Sequence, residues 1–239
     1  MNKRALQVCR LGHIEYDAAL VLQKKLEQDL IERRDTETLL LLEHPHTFTL
    51  GRRAAGRGGI LISPEKLEKL GVQVFEINRG GKATYHGIGQ IVGYPIVNLS
   101  PDREDVHLYV RNLEEVLIRT LSDFEIESFR IEGLTGVHTK FGKVAAIGVH
   151  LKRWVTTHGF ALNVNTDLGF FDFIVACEGE PVTSMEKLLG REISMQAVED
   201  RIIEHFAEVF EFEIADSKFH NSDIRVQILN SAISLKSEI

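Results

Sequence analysis

Cysteine is scarce in this chain: Cys9 and Cys177 are the only two among 239 residues. So few cannot staple a fold, which excludes a disulfide framework. A reducing, cytoplasmic setting is the expectation. Proline is sparse as well, with five residues scattered singly, so no proline-rich linker divides the chain. Long hydrophobic runs are missing. The four leucines at 39–42 form one of the longest, far short of the roughly 20 residues of a spanning helix. No apolar h-region follows the first residues, which reads as the absence of a signal peptide. An excess of positive charge is also missing. Lys and Arg number 28 against 35 Asp and Glu, a formal charge of −7, which argues against non-specific binding to nucleic acid. What the chain does have is length. Its 239 residues suit one large domain or at most two small ones, and a chain of this size buries about 70–75% of its unfolded surface.

The hydrophobic pattern mixes short strands with longer helices. Residues 6–11 alternate as a strand does, and Cys9 sits inside that alternation as a packing residue. Residues 16–32 carry Ala19, Leu22, Leu26 and Leu30 on one helical stripe. The apolar run at 38–43 reads as a buried strand. Ser63 and Pro64 supply an N-cap and a first-turn proline for a short helix ending near Gly71. Residues 72–78 and 90–99 read as strands. Residues 104–124 form the clearest helix, with Val106, Val110, Leu113, Leu117 and Leu121 at the 3.6-residue period. Strands follow at 127–131, 143–151 and 159–164. Residues 183–186 read as a capping box opening a helix that stops at Gly190. Met195, Val198, Ile202, Phe206 and Val209 mark a last helix. The sum is an α+β chain, a mixed or antiparallel sheet flanked by helices. It forms a single domain over residues 1–214. In the tail at 215–239, Ile224, Val226 and Ile228 alternate as an edge strand would.

Several common sites have no sequence support. G-x-x-x-x-G-K-[ST], G-x-G-x-x-G, G-x-S-x-G and H-E-x-x-H are all absent. His44-Pro45-His46 aims two imidazoles to one side of an extended segment. No carboxylate or cysteine lies nearby at ligand spacing, so packing histidines are the simpler reading and no metal is expected.

One segment stands apart: Arg79-Gly80-Gly81-Lys82-Ala83-Thr84-Tyr85-His86-Gly87-Ile88-Gly89-Gln90. Glycine at this density weakens regular structure and lets backbone approach a ligand, although an ordinary turn between strands would look the same. Three further blocks accompany it. They are residues 43–53 (EHPHTFTLGRR), 142–149 (GKVAAIGV) and 158–168 (HGFALNVNTDL). Together, in this order and over residues from about 11 to 190, the four blocks resemble the lipoyl(octanoyl) transferases.

That resemblance implies the mixed sheet of the biotin/lipoate protein ligases and transfer of octanoyl from acyl carrier protein to a lysine of a lipoyl domain. It implies Cys177 as nucleophile and Lys143 as its basic partner. Substrate-binding positions carry over as Arg79, Gly80, Gly81, Lys82, Ala83, Thr84, Tyr85 and His86, then Ala146, Ile147 and Gly148, then Gly159, Phe160 and Ala161. It implies no cofactor. The acceptors would be lipoyl domains of 2-oxoacid dehydrogenase subunits and of the glycine-cleavage carrier, met by a monomer with no membrane or nucleic-acid partner. Arg52, Arg53, Arg57, Arg79 and Lys82 fall in or beside the blocks and suggest a basic rim that the net charge conceals. The chain also departs from the family pattern. Ala176 and Glu178 flank Cys177 where Pro and Gly are usual, the stretch from Cys177 to Thr183 is short, Ile88 replaces a usual Pro, and His138 stands where Trp is common.

The chemistry is coherent by itself. A free thiol has a pKa near 8.5 and a lysine near 10.4, and an ammonium beside a thiol favours the thiolate. Two alternatives stay open. A nucleotide-dependent lipoate or biotin ligase of the same fold would need ATP and no cysteine at 177. A non-catalytic relative would bind acylated carrier proteins only, with Glu178 opposing thiolate formation.

Overall fold

Alternation along the first strand and the unbroken leucine run at 39–42 set the two strands around which the chain is built. The computed structural model describes residues 4–34, 36–54, 59–175 and 180–215. In chain order the elements are β1 (Arg4–His13), α1 (Tyr16–Ile31), β2 (Glu37–Glu43), β3 (Thr47–Leu50), α2 (Pro64–Lys69), β4 (Gln73–Glu76), β5 (Ala83–His86) and β6 (Gln90–Ile96). There follow α3 (Val106–Asp123), β7 (Phe129–Ile131), β8 (Leu134–Thr139), β9 (Gly142–Lys152), β10 (Val155–Asn163), a 3₁₀ helix (Leu168–Phe173), α4 (Met185–Leu189), α5 (Met195–Val209) and β11 (Phe212–Ile214).

Eight strands form one sheet in the order β11-β1-β2-β6-β10-β9-β8-β7. β1 runs parallel to both β11 and β2, and the remaining pairs are antiparallel. This is the mixed sheet expected from the sequence. β2 is central, so both of its faces are covered, which is why its sequence is a run and not an alternation. Leu39 and Leu41 join Leu113, Leu117 and Phe206 on the side of α3 and α5. Leu40 and Leu42 join Cys9, Ala19 and Leu22 on the side of α1. Cys9 is 2% exposed, so it packs as a small apolar residue. Among the described residues, no helix is long and apolar enough to cross a membrane.

Apart from α1, which has no side-chain cap, the α-helix starts are fixed by side chains that accept from a backbone N–H in the first turn. Ser63 accepts from Lys66, Asp105 from Leu108, and Ser194 from Ala197. At α4 the cap lies one residue later than the sequence pattern suggested. Ser184, not Thr183, accepts from the Lys187 N–H, so the box of Thr183 with Glu186 does not form, while Gly190 ends the helix at φ 68° as expected.

A second, three-stranded sheet, β4-β3-β5, has its own core. Phe48, Leu50, Val72, Ala83, Tyr85 and Ile174 pack there with Phe170, Phe171 and Phe173 around the 3₁₀ helix. β3 and β5 are hard to read as strands from the sequence because each is only four residues long, β3 beside His44-Pro45-His46 and β5 inside the glycine-rich segment. Pairing supplies what local propensity does not: each residue of 47–50 faces one of 83–86 in antiparallel register.

Two features of the large sheet position the site. β8 pairs with β9 only near the hairpin, through Val137↔Ala145, His138↔Lys143 and Thr139↔Gly142. Farther along β9, the Gly80 N–H donates to the Val149 carbonyl at 3.4 Å, so the glycine-rich loop lies beside that part of the strand. The alternation at 224–228 and Arg57 fall outside the described residues.

Candidate active site

A cavity of about 370 Å³ lies along β9, within the usual size range of small-molecule sites. Lys143 lines one end. Val149, six residues on, lines the other, and at the ordinary strand rise this spacing is about 20 Å. The neighbouring strand β10 supplies the residues opposite: Ala161 faces Ala146, Phe160 faces Ile147, Gly159 faces Gly148, and His158 faces Val149. Ile147 and Val149 also pack against the main core, so this stretch of β9 serves both core and cavity.

Most of the residues singled out in the sequence converge here. Arg79, Gly80, Gly81, Ala83, Thr84, His86, Lys143, Ala146, Ile147, Gly148, Gly159, Phe160 and Ala161 all line the cavity. Lys82 and Tyr85 do not appear on its wall. Alternation along β5 explains Tyr85. Thr84 and His86 take the cavity side, while the Tyr85 ring packs in the small core against Phe170, 4.9 Å between centroids. Its hydroxyl bonds to His46 Nδ1 at 2.8 Å.

Arg79 is not part of an exposed rim. It is buried, and its guanidinium donates to the Thr49 carbonyl at 3.0 Å, to Thr49 Oγ1 at 2.8 Å and to the Gly80 carbonyl at 2.8 Å. Arg52 and Arg53, by contrast, are exposed and line the cavity. Gly93 on β6 makes room for the Phe160 ring. A Cβ there would lie 2.1 Å from the ring edge.

The Val149 end is aromatic, with uncharged imidazoles gathered beside the buried Arg79 guanidinium. Tyr16, Tyr94, His86 and His158 line it, and His44 stands behind them with its ring 4.9 Å from Tyr16. His44 is satisfied on both sides. Nδ1 lies 2.7 Å from the Ile14 carbonyl and Nε2 lies 2.8 Å from the Tyr94 hydroxyl. It is thus a packing histidine, as the sequence reading preferred. Burial pushes its pKa down to about 4. Burial, reinforced by the charge of Arg79, does the same for His158, to about 4. His86 is held well below the ordinary value by burial and by neighbouring His44, and Nδ1 meets Gln90 Oε1 at 2.8 Å. Burial also raises the Tyr16 phenol, to about 12. His158 takes an unusual φ of 56°, and its N–H is bound by the buried side chain of Gln23 at 2.8 Å.

The Lys143 end is ionic. Lys143 Nζ lies 3.0 Å from Glu180 Oε2, and His138 Nε2 lies 3.2 Å from the same oxygen. Burial raises the Glu180 carboxyl, but bonding and charge from Lys143 and then His138 outweigh it, so the net pKa is lowered. The backbone fixes this corner. Lys143 N–H donates to the Pro181 carbonyl at 2.8 Å, and Thr183 N–H donates to the Lys143 carbonyl at 2.9 Å. Gly142 permits the approach: it sits at φ 128°, and a Cβ would lie 2.3 Å from the Pro181 oxygen. Cys177 lies outside the described residues. In sequence it stands three residues before Glu180.

Sequence reasoning did not single out Tyr16, Tyr94, Glu180 or His158 as site residues, nor Val106 and Val110. The two valines belong to the apolar stripe of α3, yet Val106 is 37% exposed and both line the cavity. Glu180 carried no local signal, because its partners lie 37 and 42 positions away in the chain. Among the described residues, no group of three or more His, Cys, Asp or Glu is arranged to hold a metal ion.

Comparison with known proteins adds an independent line. Residues 15–207 match the family described as the lipoyl protein ligase A/B catalytic domain. An octanoyltransferase of Solibacter usitatus is 50% identical over 206 residues, 86% of this chain and 93% of the relative. One from Caldicellulosiruptor bescii is 46% identical over 209 residues, 86% of this chain and 91% of the relative. Among solved structures, the chain is similar in fold to a bipartite lipoate protein ligase from Thermoplasma acidophilum, studied with its E2 lipoyl domain. The TM-score is 0.70 at 16% identity, covering 96% of this chain and 92% of that one.

Proposed function

Because the chain belongs to the lipoyl protein ligase A/B catalytic family and, within it, to the octanoyltransferases, we propose that it passes octanoyl from an acyl carrier protein to a lipoyl-domain lysine through a Cys177 thioester. Family membership makes the chain an acyltransferase of protein lipoylation. The donor, the covalent intermediate and the residue roles are our reading.

The observation that carries it is the cavity. A lysine lines one end, and Ala146, Ile147, Phe160 and Ala161 supply apolar wall. At about 0.8 kcal/mol per buried CH₂, an eight-carbon chain in such a slot gains several kcal/mol. Gly80 and Gly81 would bring backbone against the acyl chain, and Thr84 and His86 would close its side. In the first half-reaction the Cys177 thiolate attacks the donor thioester. The carrier's sulfur leaves and takes a proton from the Lys143 ammonium. In the second half-reaction the acceptor amine attacks the octanoyl-cysteine and gives its proton to Lys143. The amide forms as the Cys177 thiolate leaves. The amide is more stable than either thioester, so the sequence needs no nucleotide.

We assign this work to one catalytic domain over residues 1–214, acting as a monomer in the cytoplasm. Intact-mass spectrometry after incubation with octanoyl-acyl carrier protein tests the reading. One octanoyl adduct is expected, absent in Cys177→Ala and discharged by an apo lipoyl domain. An unmodified protein that still transfers octanoyl would sink the covalent route. Octanoylation of the lipoyl domain from free octanoate, only with added ATP and without an adduct on this chain, would move it to the ligases.

A further inference from the structure

Resting on the reading of Lys143 as the proton-handling partner of Cys177, we propose that Glu180 is a positioning residue that competes for the Lys143 ammonium. It holds Nζ against the cavity wall, with His138 fixing its carboxylate, and so restrains how much of Cys177 is thiolate.

The geometry is a single carboxylate oxygen shared by two donors, Lys143 Nζ at 3.0 Å and His138 Nε2 at 3.2 Å. Sharing it with Lys143 requires His138 to present Nε2–H. Its Nδ1 is buried and, among the described residues, has no hydrogen-bond partner. The His138 ring is 2% exposed, so it cannot swing away at low cost. His138 and Lys143 are register partners on adjacent strands. The sheet therefore sets His138 and Lys143, and the backbone bonds of Pro181 and Thr183 to Lys143 bring Glu180 beside them. An ammonium–carboxylate contact at this distance is a charge-assisted bond. A thiolate needing the same ammonium must displace it or share it, and a carboxylate close by opposes a second negative charge.

The other charges facing this corner are accounted for. Arg52, Arg53 and Arg79 line the same cavity. Beneath it, Glu114 on α3 accepts from the Gly136 N–H and pairs with Arg111 and Arg130. Glu178 is next to Cys177 in sequence. None of these changes in the variants below.

The test is the pH dependence of Cys177 alkylation by iodoacetamide in the full chain, read by peptide mass so that Cys9 is separated. Glu180→Gln keeps the shape and removes the charge. Its alkylation is expected to be about tenfold faster at neutral pH, a profile moved about one unit toward acid. Glu180→Asp, which keeps the charge, should stay within about threefold of wild type. In a Lys143→Ala background, Glu180→Gln should change the rate by less than about twofold, because the effect runs through Lys143. An unshifted Glu180→Gln profile, with Lys143→Ala still moving toward alkaline pH, overturns the role of Glu180 alone. So does an equal shift in the Lys143→Ala background, which would make Glu180 a direct repulsive neighbour. If Lys143→Ala itself does not move the profile, the lysine–cysteine reading fails and this proposal falls with it.

Discussion

The two ends of the cavity are built on opposite principles. At the Val149 end, the buried imidazoles of His44, His86 and His158 are all held toward the neutral form. His44 and His86 are anchored through ring nitrogens, and His158 through its backbone N–H. At the Lys143 end, an ammonium and an imidazole converge on one carboxylate oxygen, with Lys143 and Glu180 partly open to water. The first arrangement has settled its protons through burial. The second keeps its ammonium and carboxylate within reach of water. A slot for an inert acyl chain needs the former, and a centre that takes and returns protons needs the latter.

Four measurements break or sharpen this contrast. The largest effect is expected at the ionic end. Lys143→Ala should slow octanoyl transfer by about 10²–10⁴-fold at neutral pH, as for a lost general base, and part of the rate should return at alkaline pH. A flat ratio across pH would remove Lys143 from proton handling.

The aromatic end should respond in stability. The folded pKa values of His44 and His158, about 4, lie below the ordinary histidine value near 6.5. Between those limits the unfolded chain binds more protons, so stability present above about pH 6.5 is lost as the pH falls toward 4. Thermal unfolding across that range should show the decline, and His158→Gln should flatten part of it. An identical slope in the variant would show that His158 is not buried as a neutral ring.

The third measurement concerns the wall between the ends. Gly93→Val would drive a side chain into the Phe160 ring, with an expected loss of about 1–3 kcal/mol and weaker octanoyl binding. Wild-type thermal stability in this variant would mean that Phe160 lies elsewhere. The smallest effect is at the mouth. Arg52→Glu with Arg53→Glu should slow association with an acidic carrier several-fold at low salt and little at high salt, with kcat nearly unchanged. Undiminished docking at low salt would count against a basic rim at these two residues.

What the sequence made legible follows from how local the cause is. The run at 39–42 announced a strand covered on both faces, and the stripe Leu113, Leu117 and Leu121 announced the helix that covers one of them. Val106 and Val110 continue that stripe in sequence but not in packing. They lie in the first turns of α3 and face the cavity. β5 stayed hidden because its stability comes from pairing with β3 and from the Tyr85 ring, not from propensity. The four sequence blocks named most of the cavity wall through a family resemblance. By its pattern the stretch 143–151 reads only as a strand, and Ile147 and Val149 serve both core and cavity. Glu180 with His138 was invisible for a different reason. Their meeting needs the β8–β9 hairpin and the return of the chain along Lys143, and no local pattern encodes it.

The separate core of the small sheet has a consequence for how the molecule breathes. β3 and β5, with the 3₁₀ helix, bury their apolar groups mostly against one another, and β4 is a largely exposed edge. β2 and β6 lie deep in the eight-stranded sheet. Units built this way open with different free energies. Amide hydrogen exchange should therefore find β3–β5 a cooperative unit that opens at lower cost than β2 and β6. Since β5 and the loop before it form one wall of the cavity, that subglobal opening would widen the cavity while the large sheet stays folded.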